Sequence, residues 1–332
     1  MLKALPPHDD ISISTYVRFW LYLLFEIPSL FCSIFVLFYL FHKRTLREAI
    51  NNHMIIVLLL LNFIVQVIDL PWIMNYYRLG YVTPSTPTFC MIWIFVDETL
   101  YTATTVLFSW TSIERHILIF HSNLVSTKFK RLLFHYTPMI VLIIYCLTYG
   151  LIVALFPPCE NIFDYNSVVC GYPLCYTEHE SIGMWDISIN HVIATSGIIL
   201  GCLVLLGRII YQKKRFRRPI RWRQDRKMAI QLLSIAVLYL ILYIPQMLIE
   251  IAHECGLSED IGSSFLPYAK FFSYYVNFLL PFVCANSLPG FKEKIRRIIL
   301  WNTCCINTVV PHISDPQNTI NNQVQTRPYP LS

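Results

Sequence analysis

Two groups of ionisable residues interrupt one long apolar run of this chain, Phe89 to Phe120, and they are where its chemistry could reside. Asp97 and Glu98 lie in the first third of the run, and Glu114-Arg115-His116 closes it. A carboxylate at such a depth is costly in hydrocarbon unless it is paired or lines a wet cavity, so Asp97 needs a partner. Two partners are open to it: a cationic ligand, or an internal ion pair with Lys270, one turn from Tyr274 on a later run. Enzymatic chemistry would need several His and Asp at metal-ligand spacing, or an activated Ser or Cys with a base, and no such cluster is visible. His116, His121 and His135 surround one loop without ligand spacing, and no Cys/His pattern points to a metal or other cofactor.

The elements that must hold these residues are set by hydropathy. Of the 332 residues, 55% are hydrophobic and only 14% charged, with a mean hydropathy of +0.52, more apolar surface than one water-soluble core could bury. The apolar residues gather into seven runs: Tyr16 to Phe41, His53 to Tyr76, Phe89 to Phe120, Phe134 to Phe156, Trp185 to Tyr211, Lys227 to Ile251 and Phe265 to Leu288. Each is long enough as a helix to cross roughly 30 Å of hydrocarbon, and each is continuously apolar rather than alternating as a barrel strand would be. The expected fold is an all-α membrane protein, a seven-helix bundle over residues 16–289. It is preceded by an outer segment, 1–15, and followed by an amphipathic helix on the membrane surface, 290–302, and a disordered tail, 303–332. The first run ends in His42-Lys43-Arg44, the flank of a retained anchor rather than of a cleaved signal.

Charge sets the orientation. With the amino terminus outside, 22 of the 26 Lys and Arg fall on the cytosolic side, and only Lys3, Arg18, Arg78 and Lys270 lie elsewhere. The carboxy terminus is then cytosolic and the protein a multi-pass component of the plasma membrane. The basic run Lys213 to Arg218 is read as a contact for anionic membrane lipid rather than for nucleic acid. Cys90, Cys159, Cys170 and Cys175 collect on the outer, oxidising side. Cys304-Cys305, after the amphipathic helix, suit either palmitoylation or two unmodified cytosolic thiols. The acidic outer loops would draw in cations.

An acid-Arg pair at the cytosolic end of the third run, with Cys90 placed 25 residues before Arg115, resembles the rhodopsin-like G-protein-coupled receptors. Their Asp/Glu-Arg-Tyr motif and a disulfide-forming cysteine share that separation on the third helix. Pro245 is similar to the proline of the family's Cys-Trp-x-Pro segment and Pro281 to that of Asn-Pro-x-x-Tyr. Asp225 stands where many members keep an acid for the motif arginine, and Asn62 and Pro71 have the spacing of the sodium-site residue and proline of the second helix. Departures are Asn62 for the sodium-site acid, Tyr243 for the tryptophan, Leu280-Pro281-Phe282-Val283-Cys284 for Asn-Pro-x-x-Tyr, and His116 for the motif tyrosine. The resemblance spans about Tyr16 to Trp301.

It implies a divergent receptor that turns binding of an extracellular ligand into activation of a heterotrimeric G protein. Glu114, Arg115, Asp225, Pro245 and Pro281 would form the activation switch. Asp97, five turns before Arg115, is where receptors for amines and some basic peptides keep their ligand-binding carboxylate. Tyr274 matches the tyrosine that often bonds it, and Tyr101, Tyr243, Gln246 and Lys270 complete the expected set. The resemblance also implies a disulfide from Cys90 to Cys175, with Cys170 as the alternative partner, and a hairpin bridge from Cys159 to Cys170. The competing expectations are an orphan or constitutively signalling receptor-like protein and, in another class, a channel or transporter, for which broken spans in repeated halves would be needed.

Overall fold

The computed structural model describes residues 11–288 except 158, 172–174, 216–218 and 259; side chains are described at all of these but 122, 178, 180, 209, 212–215, 219–229, 254 and 287. The amphipathic helix, Cys304, Cys305 and the side chain of Asp225 therefore lie outside the described residues. Those described are largely helical, without a strand among them. Helix α1 spans Thr15–His42, α2 Ile50–Leu79, α3 Pro87–Phe120, α4 Lys128–Leu155 and α5 Ser181–Arg208. Then come α6 (Pro219–Leu242), α7 (Ile244–Glu254), α8 (Leu266–Ser273) and α9 (Tyr275–Ser287). Among the described residues, five helices are long and apolar enough to cross a membrane, or six if the bent α6–α7 pair is one span.

Residue types predict where the starts fall. Ser14 accepts the Val17 amide at the head of α1, and Thr86 accepts that of Phe89 at the head of α3, whose first residue is Pro87. Gly80, at φ 80°, ends α2 in the left-handed region that a side chain disfavours. Two expected spans are interrupted. At Tyr243 the helix bends by 48°, because Pro245 has no N–H to give and its ring crowds the carbonyl of Ile241. The last expected run parts at Tyr274 into α8 and α9, neither of which alone reaches across hydrocarbon at about 1.5 Å per residue.

The distribution of side chains is that of a multi-pass membrane protein. Trp20, Leu24, Ile27, Phe31 and Phe38 of α1 point outward and are exposed, while its inward stripe carries Tyr22, Glu26, Ser29 and Ser33. A soluble helix would do the reverse. Helix α3 is the axis, packed on α2, α4 and α5. Close approach of α3 and α5 depends on Gly197 and Gly201, spaced as a membrane-helix packing motif: a Cβ on Gly201 would stand 2.6 Å from that of Ser112.

Pro281 explains the polar core. Lacking an N–H, it leaves the Asn277 carbonyl without its helical partner. Asn62 Nδ2 and Gln66 Nε2 each donate to that oxygen at 3.2 Å, tying α2 to α9, and Gln66 Oε1 accepts from Ser33 at 2.6 Å, bringing in α1.

The loop after α4 adopts the alternative of the two expected pairings. Cys90 is joined to Cys170 rather than Cys175, and Cys159 to Cys175, with Cα separations of 5.7 and 6.0 Å. Val169, Cys170 and Gly171 turn through the left-handed region, at φ 52°, 54° and 79°, and the Asp164 amide donates to the Cys170 carbonyl. That turn carries Cys170 onto the start of α3, a placement that residue spacing does not reveal.

Because Gln66 answers a carbonyl that only Pro281 frees, the two should be coupled in stability. Gln66→Leu is expected to cost about 1–3 kcal/mol. Combined with Pro281→Ala, which restores the helical donor, it should cost less; thermal unfolding of the purified single and double variants measures the difference.

Candidate functional site

Ionisable residues within the bundle gather in several separate groups among the described residues. At the disulfide-bearing end, Tyr274 donates its hydroxyl to Asp97 Oδ1 at 2.9 Å, linking α3 to the break between α8 and α9. The Asp97 carboxyl also interacts with that of Asp69, whose Oδ1 accepts from Trp93 Nε1 at 2.9 Å. Asp69 is fully buried in a π turn of α2, Val65–Asp69. It went unread in the sequence although the signal was there: a lone acid inside an apolar run. Two interacting carboxyls suit a shared proton or a cation.

Lys270 does not pair with Asp97. Its Nζ stands 3.5 Å from Glu250 Oε1, the atom to which Gln246 Nε2 donates at 3.1 Å. Glu250 lies one turn before the end of α7, the helix that packs on α8, and takes the charge that Asp97 would otherwise have received. Tyr101 and Tyr243 form a third group. Their rings are 5.0 Å apart, and the Tyr243 hydroxyl is hydrogen-bonded to His191 Nδ1 at 3.0 Å. The six expected ligand-binding residues thus divide among three neighbouring groups rather than converging on one atom. Another acid outside the expected set is Glu26, buried on the inward stripe of α1 with both carboxylate oxygens lacking a hydrogen-bond partner among the described residues.

At the opposite end of α3, Glu114 and Arg115 are both buried. Arg115 donates to the Asn51 carbonyl at the start of α2, whereas Glu114 is bound by His135 Nδ1. His135 Nε2 continues to His53 Nδ1 at 3.0 Å, and His53 Nε2 to the Arg47 carbonyl at 2.9 Å. His135, read in the sequence as one of three loop histidines, is in fact fully buried in the π turn that opens α4, Leu132–Tyr136. Beside Arg115 is a narrow recess with no room for a water molecule, lined on α6 by Gln231, Leu232 and Ile235. Pro245 sits just past the α6–α7 bend and Pro281 within α9.

No protein-family model and no curated protein matches the chain. What the groups can do chemically is cation binding at one end and helix docking at the other; no nucleophile with an attendant base is found among the described residues near either.

His135 and Glu114 are both buried, so removing the imidazole leaves a carboxyl without that partner, and His135→Ala should cost about 1–3 kcal/mol. His53→Ala removes only the outer member of the relay and should cost less. Thermal midpoints of the two purified variants give the comparison.

Proposed function

We propose that this protein is a seven-span G-protein-coupled receptor with its amino terminus outside, responding to a cationic extracellular ligand, an amine or a basic peptide. One observation carries this proposal: a single helix, α3, bears Asp97 bonded across the bundle to Tyr274 near one end and buried Glu114-Arg115 at the other. A ligand ammonium entering beside Asp97 and Asp69 would meet two carboxyls in a low-dielectric setting, and its approach would disturb the Tyr274 bond at the α8–α9 break. The bend at Tyr243 lets α6 swing about Pro245. Swinging outward would widen the recess beside Arg115, where the G protein would insert. The resting lock is assigned to Arg115 and Asp225. The basic cytosolic segments lie against anionic lipid, and nucleic acid has no part.

The test is nucleotide exchange at matched surface expression against a panel of amines and basic peptides. Asp97→Asn should weaken the potency of an active ligand at least about tenfold, or ~1.4 kcal/mol, and Tyr274→Phe by about 1 kcal/mol. Asp225→Ala should raise basal exchange and Arg115→Ala should weaken coupling. Unchanged potency in Asp97→Asn would remove the cationic ligand from the proposal; unchanged basal exchange in Asp225→Ala with normal coupling in Arg115→Ala would remove the receptor mechanism itself.

A further inference from the structure

Next to Asp97 in the chain but on another face of α3, Glu98 belongs to a second set of donors. Sequence spacing did not disclose it, because its members come from two helices. Glu98 of α3 and Asp186 and His191 of α5 each bring one ligand atom to within 4.8 Å of the others. The local backbone explains the pairing on α5. Residues five apart on an α-helix of about 3.6 residues per turn face different sides, but Asp186–Ile193 is a π segment, whose wider turn closes at the fifth residue and brings Asp186 and His191 together. Asp186 Oδ2 and His191 Nε2 are 4.0 Å apart.

The surroundings are arranged as they would be for metal ligands. Tyr243 engages His191 at Nδ1, which fixes the ring and turns Nε2 toward Asp186. Asn190 Nδ2 donates to Asp186 Oδ1 at 2.7 Å, the Tyr176 hydroxyl to Oδ2 at 3.2 Å, and Thr102 to Glu98 Oε1 at 3.2 Å. A further hydroxyl, that of Tyr149 on α4, is sealed from solvent and turned toward the same group, interacting with both Asp186 and Glu98. Two carboxylates beside a single imidazole carry negative charge that a divalent cation would neutralise. Imidazole nitrogen selects the zinc class over calcium or magnesium.

We propose that Glu98, Asp186 and His191 form a site for one divalent transition-metal ion of the zinc class, in the half of the bundle that holds the disulfides. Bond lengths near 2.1 Å put neighbouring donors on a tetrahedral ion about 3.4 Å apart, so small side-chain rotations close the set. The fourth position falls to water or to the Tyr149 hydroxyl. Such an ion would clamp α5 to α3 beside the glycine seam. The proposal does not rest on receptor activity, since metal binding is read on the purified chain.

The experiment uses full-length protein without a polyhistidine tag, purified in detergent micelles, stripped with chelator and titrated with Zn²⁺ or Co²⁺ alone. Expected are one ion per chain, a zinc-dependent rise in thermal midpoint, and visible Co²⁺ absorption of a tetrahedral nitrogen-oxygen site. His191→Ala and Asp186→Asn should abolish all three. Tyr243→Phe keeps all three donors and its ring packing and should weaken binding about 10–100-fold. His253→Ala, at the end of α7, should leave binding unchanged. No ion bound by wild type, or binding equally tight in His191→Ala and Asp186→Asn, would overturn the site and leave a hydrogen-bonded network only.

Discussion

A backbone crossing hydrocarbon must satisfy every N–H and C=O from within the protein, because the solvent supplies no partner. The Asn277 carbonyl shows the consequence of releasing one such group. Pro281 strips it of its helical donor, and Asn62, Gln66 and Ser29 are drawn to it from two other helices. The polar core of this bundle is organised around that oxygen. The same constraint turns the usual amphipathic logic inside out, with phenylalanine and leucine on the outer faces and serine, threonine, glutamine and acid groups within. Net packing in lipid rests less on burying apolar surface than on close approach and on hydrogen bonds, and the glycine seam between α5 and α3 supplies the former.

Helix α3 is then the element that ties together the two ends of the bundle. Its start is fastened to the loop after α4 by Cys90–Cys170, its middle is packed against α5, and its far end is held on α2 by Arg115 and on α4 by Glu114 and His135. A force applied at Asp97 therefore acts on a helix restrained by different neighbours at each end. For a cationic ligand, the balance is between its attraction to the Asp97–Asp69 pair and the loss of existing hydrogen bonds from Tyr274 and Trp93. On the proposed reading, a ligand ammonium would have to gain more from these carboxyls than the roughly 1 kcal/mol of each neutral hydrogen bond it displaced. Lys270 is paired with Glu250 and acts on Asp97 only as a more distant positive charge.

Hydropathy and local signals were enough for what depends on neighbours in sequence. The apolar runs placed the long helices to within a few residues, Ser14, Thr86 and Gly80 mark their ends, and Pro245 and Pro281 mark where hydrogen bonds must be missing. The acids of α3 stood out for the same reason, as charges in an apolar run. Partner choice was another matter. That Asp97 meets Asp69 and Tyr274 rather than Lys270, that Glu114 meets His135, and that Cys170 rather than Cys175 reaches Cys90 all depend on helix rotation and on a left-handed loop turn. Those are set by packing among residues tens to hundreds of positions apart. The donor set of Glu98, Asp186 and His191 is the clearest case: an α-helical reading puts Asp186 and His191 on different faces, and only the π turn, a backbone feature held by tertiary contacts, brings them together.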